Sequence, residues 1–221
     1  MKALKLLVSV VVTTLNEEDH IGACLSSLVN QTVKPSELTL IDAGSTDRTL
    51  EIARRYPVDK FHTVTFRDVY RSKRLGILLS ENDVVLCLDG DTWIAEDFTE
   101  KGLKLLNKGY DVATGYIYPS NPNPLSNFIA WLQNKNPKYL SGPAYLINKQ
   151  AYLSTCKIAK INGFVDACTI SKEVPLGKFE KAIKCPELEI YTELPSTGQA
   201  RIITLLIATG VTTFLIWKYK H

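Results

Sequence analysis

The sequence predicts an α/β fold, a mainly parallel β-sheet flanked by helices, from three observations. Runs of strand-forming residues alternate with stretches of helical period from residue 6 to about residue 118. The strand-like runs are short and almost wholly apolar, as strands buried inside a sheet must be. Turn and helix-capping residues separate them, as in Asp42-Ala43-Gly44-Ser45-Thr46-Asp47. A chain of 221 residues has the length of one large domain, or of one domain with an appendage.

Leu6 to Thr14 is a β-branched run and gives the first strand. Ile21, Cys24, Leu25 and Leu28 fall on one helical stripe, the first crossover helix. Leu38 to Ile41 gives a second strand. Ser45, Thr46 and Asp47 read as caps of the helix that then runs to about Tyr56. Phe61 to Phe66 reads as a third strand, Val69 to Ser80 as a helix and Asp83 to Leu88 as a fourth strand. Phe98, Leu103 and Leu106 mark another helix, and Val112 to Tyr118 another strand. Pro119, Pro122, Pro124 and Pro137, with Asn121, Asn123, Asn134 and Asn136, then break the alternation into loops around a helix near Leu125 to Leu132. Loops of this kind serve as binding walls or as solvated connections, and the residues leave both open. Tyr145 to Ile147 gives a strand, Pro175 to Ile183 contains a short helix, and Leu188 to Tyr191 is a late strand.

Composition narrows the class. Hydrophobic residues make up 45% of the chain and charged residues 22%, which excludes a disordered chain and a polytopic membrane protein. Basic residues number 26 against 23 acidic, a formal charge of +3, so no dominant positive field for nucleic acid is present. The five cysteines are odd in number and widely spaced, without a Cys-x-x-Cys pair, and read as reduced thiols of a cytoplasmic domain. The amino terminus superficially resembles a signal peptide. Its apolar stretch is short, however, and Asn16, Glu17 and Glu18 follow it where a small-residue cleavage site belongs, so it reads as the first strand.

The chemistry concentrates after the fourth strand. The apolar run Val84 to Leu88 ends in Asp89-Gly90-Asp91-Thr92, which projects two carboxylates from the end of a buried strand. In extended chain Asp89 and Asp91 lie on the same side, and Gly90 between them lets a ligand approach the backbone. Mg²⁺ or Mn²⁺ is held by one or two carboxylates plus substrate phosphates. Ligands of open α/β sheets gather at the carboxyl ends of strands. An Asp-x-Asp triplet alone arises by chance; its position is what points to a divalent metal and a nucleotide diphosphate.

The last segment differs in kind. Ile202 to Trp217 is sixteen residues without a charge, bracketed by Arg201, Lys218 and Lys220. As a helix it spans about 24 Å, short of a hydrocarbon core of about 30 Å, a gap that snorkelling lysines and interfacial Trp217 and Tyr219 can close. Its length and its threonines favour a buried core helix. Its apolar character on every face favours a C-terminal membrane anchor. A flat interfacial helix is disfavoured because no face is charged.

Four blocks, in order, resemble the nucleotide-diphospho-sugar transferases of glycosyltransferase family two, which have the GT-A fold. They are Val8 to Glu18 with its Asn-Glu turn, Asp42 to Thr49, Arg71 to Ile77 with Leu75 where an Asn is frequent, and Leu88 to Thr92. More loosely, Asn162-Gly163-Phe164 resembles a Gly-Gly-Phe turn, and Lys172-Glu173-Val174-Pro175-Leu176-Gly177 the Glu-Asp-x-x-Leu motif of the general base. The resemblance implies that Thr14 and Glu17 line the nucleotide pocket and that Asp42 accepts hydrogen bonds from the base, with a turn role as the alternative for Asp42. It implies that Asp89 contacts ribose and metal, that Asp91 binds the metal, that Arg71 or Arg74 approaches the diphosphate, and that transfer inverts the anomeric carbon. With the apolar tail as an anchor over 199–221, the chain divides into that anchor and a GT-A domain over residues 1–198, with a nucleotide-sugar half (1–118) and an acceptor half (119–198).

Glu173 aligns with the base but is one methylene longer than aspartate, and Lys172 beside it depresses its pKa and so weakens it. A lipid phosphate acceptor, dianionic near neutral pH, needs little help from a base. Lys149, Lys178, Lys181 and Arg201 are the candidates to hold such a phosphate. The implied partners are a UDP- or GDP-linked sugar and a lipid-phosphate or lipid-linked glycan acceptor, on a membrane-associated enzyme whose catalytic domain faces the cytoplasm. Two alternatives remain: a catalytically inactive GT-A-like binding protein, and a nucleotidyltransferase, although Thr13 to Glu18 lacks the glycines that usually open one.

Overall fold

The structure, a computed structural model, describes residues 7–135, 143–155, 158–161, 164–167 and 181–194. In chain order the elements that position the site are β1 (Val8–Thr14), α1 (Ile21–Val29), β2 (Glu37–Asp42), α2 (Thr49–Ala53), β3 (Lys60–Thr63), α3 (Val69–Leu79) and β4 (Val84–Asp89). There follow β5 (Thr92–Ile94), α4 (Phe98–Asn107), β6 (Val112–Pro119), α5 (Pro124–Lys135), β7 (Ala144–Asn148), α6 (Lys149–Thr155), β8 (Ile158–Ile161), β9 (Phe164–Ala167) and β10 (Ala182–Thr192).

Eight strands form one sheet in the order β3-β2-β1-β4-β7-β6-β10-β5, and β8 and β9 pair separately. The first four strands are mutually parallel. Every residue of β1 and β2 is buried, and all of β4 except Asp89, as in parallel strands covered on both faces; β4 is apolar up to Asp89, while β1 and β2 also bury polar residues such as Ser9 and Glu37. The chain lays β2 and β3 on one side of β1 and then crosses to place β4 on the other. That crossing makes a topological switch point at the carboxyl ends of β1 and β4, the place where open α/β sheets bind ligands. Packing follows from small residues at close approaches: a Cβ on Gly76 would lie 2.1 Å from Val11 Cγ1, so α3 sits directly on β1.

Beyond β4 the pattern changes. β7 runs antiparallel between β4 and β6, and β5 pairs antiparallel with β10 at the edge. β10 follows β6 in parallel but shifts register between Cys185 and Glu189, around Pro186, which has no amide to give the ladder. The helix expected within Pro175 to Ile183 is corrected at its end, where Ala182 and Ile183 are strand; residues 175–180 lie outside the described residues. Asparagines organise the Pro-rich stretch. Asn123 Oδ1 accepts from the Leu125 and Ser126 amides at the start of α5, and the Asn134 side chain pairs with both backbone groups of Ile117. The apolar segment 202–217 lies outside the described residues, and among those described no helix is long and apolar enough to cross a membrane.

Candidate active site

Three strand ends meet at the switch point. Thr14 closes β1 in register with Asp42 at the end of β2, and Thr13 is in register with Asp89 at the end of β4. The chain after β1 turns through Asn16, whose φ of 54° is left-handed, a conformation that asparagine tolerates better than most residues. This turn and the loop after β2 are cross-tied. Asn16 Oδ1 accepts from the Thr46 amide at 2.9 Å, the Asn16 amide donates to Ser45 Oγ at 2.9 Å, and the Glu17 amide donates to Thr49 Oγ1 at 2.7 Å. Ser45 and Thr46, expected as helix caps, therefore serve as inter-loop ties. Asp47 accepts from the Thr49 amide and hydroxyl and from the Glu18 amide. Although partial burial raises its carboxyl, those hydrogen bonds outweigh it and hold the group below its ordinary range.

Asp42 is buried. Its carboxylate accepts from the Gly44 amide and from the Ser45 amide and hydroxyl, so in this structure it shapes the loop. Asp42 thus fills the turn role.

The remaining acids converge. A Cβ on Gly90 would stand 2.9 Å from Thr14 Oγ1 and 3.2 Å from Glu17 Cγ, so glycine is required there to let β1 and the Asp89-Gly90-Asp91 turn close together. Cys24, buried on α1 beneath them, has its thiol pushed up by burial first and then by the charges of Asp91, Asp89 and Glu17. His20 places Nδ1 3.2 Å from Glu17 and Nε2 3.4 Å from Glu193, which joins the loop after β1 to the end of β10.

The cation that reaches this cluster is one the sequence reading passed over. Lys73 on α3 sits 2.9 Å from Asp89 Oδ1 with its side chain only 6% exposed, and Thr13 Oγ1 donates to the same oxygen at 3.1 Å. Arg71, by contrast, is exposed and lies over the Phe66 ring at 4.3 Å. Arg74 is buried, and its Nε has no hydrogen-bond partner among the described residues. The signal for Lys73 was present in the helical register: it falls on the same buried face as Gly76 and Ile77. Burial raises the Asp89 carboxyl, Lys73 pulls it down and Asp91 pushes it up again, with a net rise.

A divalent ion fits this arrangement. Two carboxylates that repel each other at one strand end are what a cation relieves, and Thr14 Oγ1 is buried there without a partner among the described residues. Among the described residues no group of three or more His, Cys, Asp or Glu forms a ready-made cage. Two proposed phosphate-holding lysines are corrected. Lys149 donates to the Leu78 and Ser80 carbonyls, and Lys181 precedes β10 beside Asp111, both at the end of the sheet where β4 and β6 begin, opposite the switch point. Sequence proximity to an apolar strand does not say which of its ends a residue occupies. Glu173, Lys172, Lys178 and Arg201 lie outside the described residues.

A sequence profile of glycosyl transferase family 2 matches residues 9–163. The chain belongs to that family. A glycosyltransferase of Haemophilus influenzae is 32% identical over 114 residues, which cover 49% of this chain and 45% of that protein. The glycosyltransferase AglE of Haloferax volcanii is 30% identical over 124 residues, 52% of this chain and 41% of AglE. The chain spans less than half the length of these relatives. In fold the family 2 chain resembles Staphylococcus aureus TarS 1-349 in complex with UDP-GlcNAc, with a TM-score of 0.65 and 17% identity over 86% of this chain and 59% of that one. It also resembles the mannosyltransferase PcManGT from Pyrobaculum calidifontis in complex with GDP-Man and Mn²⁺, with a TM-score of 0.62 and 17% identity over 89% and 59%. The family 2 assignment and the α/β, GT-A architecture read from the sequence agree with these matches.

Proposed function

We propose that the protein is a metal-dependent, inverting glycosyltransferase that moves a sugar from a nucleotide diphosphate to a membrane-associated acceptor, a lipid phosphate or a lipid-linked glycan. The observation that carries this reading is the convergence of Thr14, Glu17, Asp89 and Asp91 on the switch point of the sheet. TarS and PcManGT, which share the fold, were solved with UDP-GlcNAc and with GDP-Man and Mn²⁺, and this supports a nucleotide-sugar donor and a divalent ion.

Asp89 and Asp91 would hold Mg²⁺ or Mn²⁺, which when bound neutralises the departing diphosphate as a Lewis acid. Lys73 already balances one carboxylate, and the unpartnered Nε of Arg74 is a further donor for an anion. The loop held by Asp42 and Asn16 gives the nucleotide a rigid wall. Glu173 stands as the general base, weakened by Lys172, which suits an acceptor that arrives already ionised. Residues 199–221 anchor the enzyme, with the domain of residues 1–198 on the cytoplasmic side, where Cys24, Cys87 and Cys185 remain free thiols.

Isothermal titration of the full chain with UDP-GlcNAc and with GDP-Man tests the reading. Heat of binding with one donor in Mn²⁺, its loss in EDTA and its loss in Asp91→Ala are expected. Binding of neither donor, or equal binding in Asp91→Ala, overturns it. Donor binding without metal-dependent hydrolysis would instead assign the inactive binding protein.

A further inference from the structure

We infer that the outer face of α5 is a bilayer-contacting surface, seated at headgroup depth. The inference rests on the membrane-associated reading above and adds a second point of contact to it. On the inner face of α5, Ser126, Ile129 and Ala130 are buried, and Ile129 and Ala130 pack with Ile117 and Leu194. The outer face carries Asn127, Phe128, Trp131 and Lys135. Phe128 is 50% and Trp131 49% exposed; their rings stack at 5.9 Å, and Lys135 Nζ lies 4.2 Å from the Trp131 ring centre. Scattered exposed apolar side chains need no explanation, but two stacked large aromatics form one continuous patch. The helix has no acidic residue. For contrast, α4 covers its exposed turns with the ion pair Lys104–Glu100. Trp and Phe beside a lysine are residue types that sit between headgroups and acyl chains.

The chain itself brings a bilayer to this face. Asn121 holds both backbone groups of Leu194, so the polypeptide leaves the described domain beside α5. Ile202, the first of sixteen uncharged residues, is eight residues further on, a reach of at most about 28 Å. A membrane that takes up residues 202–217 therefore lies within span of Phe128 and Trp131. Lys135 adds positive charge beside the aromatic patch, and in sequence Arg201, Lys218 and Lys220 bracket the uncharged segment, residue types that favour anionic headgroups. A groove of about 400 Å³ between α5 and β6, walled by Tyr116, Tyr118 and Trp131, opens beside this patch.

The chain has three tryptophans, which makes the test local. Two full-length single-tryptophan proteins are made, one with Trp93→Phe and Trp217→Phe, the other with Trp93→Phe and Trp131→Phe, and their folding is checked by circular dichroism. Each is mixed with phosphatidylcholine vesicles containing phosphatidylglycerol, with and without bromine high on the acyl chains. Trp131 emission is expected to shift to the blue and to be quenched by the brominated lipid, and Phe128→Ser to reduce that quenching several-fold. Quenching at Trp131 with silence at Trp217 supports this inference and removes the tail anchor. Quenching at Trp217 with silence at Trp131 keeps the anchor and overturns the inference. Silence at both overturns both. A Trp131 shift produced by soluble oligosaccharide and not by vesicles overturns it too, and assigns the face to sugar stacking. Donor binding by titration stays a separate readout, so failure here is distinct from failure of the transferase reading.

Discussion

The strands β3-β2-β1-β4 and β7-β6-β10-β5 belong to one sheet but are built on different terms. The first four are parallel, joined by helices, and end together in polar loops cross-tied by Asn16, Asp42, Ser45 and Asp47. The second four mix directions, carry a register shift at Pro186, and end beside a helix that shows aromatic rings to its surroundings. The first half thus gathers charge and fixed loop geometry at one place, and the second leaves apolar surface exposed at another.

Packing distinguishes the halves most sharply. Gly115 on β6 faces backbone: an added Cβ would lie 1.9 Å from the Leu188 carbonyl oxygen, where the register of β10 shifts. Gly76 in the first half faces a side chain, that of Val11, at 2.1 Å. Gly115→Ala is expected to destabilise by about 3 kcal/mol or more and Gly76→Ala by about 1–2 kcal/mol, because a side chain yields where backbone does not. Urea unfolding of both variants checks the ranking, and the reverse order would break the contrast.

Next in size is Lys73. Its removal in Lys73→Met leaves Asp89 without its cation, at an expected loss of about 2 kcal/mol, less than for a fully enclosed pair because Asp89 keeps solvent on one side. Lys73→Met with Asp89→Asn should recover most of that loss, and a double-mutant cycle by thermal unfolding measures the coupling.

The smallest expected effect lies at the amino-terminal edge, where Ser9, Lys60 and the Glu81 amide all meet the buried Glu37 carboxylate. Burial alone would raise Glu37, but these hydrogen bonds hold it below its ordinary 4.5. A folded-state pKa below the unfolded one gives stability that is present above pH 4.5 and lost as pH falls through the folded value. Glu37→Gln is expected to flatten that acid limb by roughly 1 kcal/mol, read from denaturation midpoints between about pH 3 and pH 6.

The order of strands in the first half was legible because parallel strands buried on both faces leave unbroken runs such as Val84 to Leu88, with turn residues between them. β5 was not. Thr92 to Ile94 is three residues long and is a strand only because β10, almost a hundred residues later, offers it partners. The same limit explains the cations. Arg71, Lys73 and Arg74 are neighbours in sequence, and composition cannot rank them; the rotation of α3 on β1, fixed by Gly76, turns Lys73 toward Asp89 and Arg71 toward Phe66.

By itself the sequence determined the family, the alternating α/β architecture and the placing of two carboxylates at a strand end, because periodicity and turn chemistry are local properties of the chain. Only the tertiary structure decided that Lys73 is the counter-charge, that Lys149 and Lys181 stand at the strand ends opposite the switch point, and that Phe128 and Trp131 face outward. Those outcomes depend on which end of a strand and which face of a helix meet across long separations, and hydrophobic patterning alone does not encode that choice.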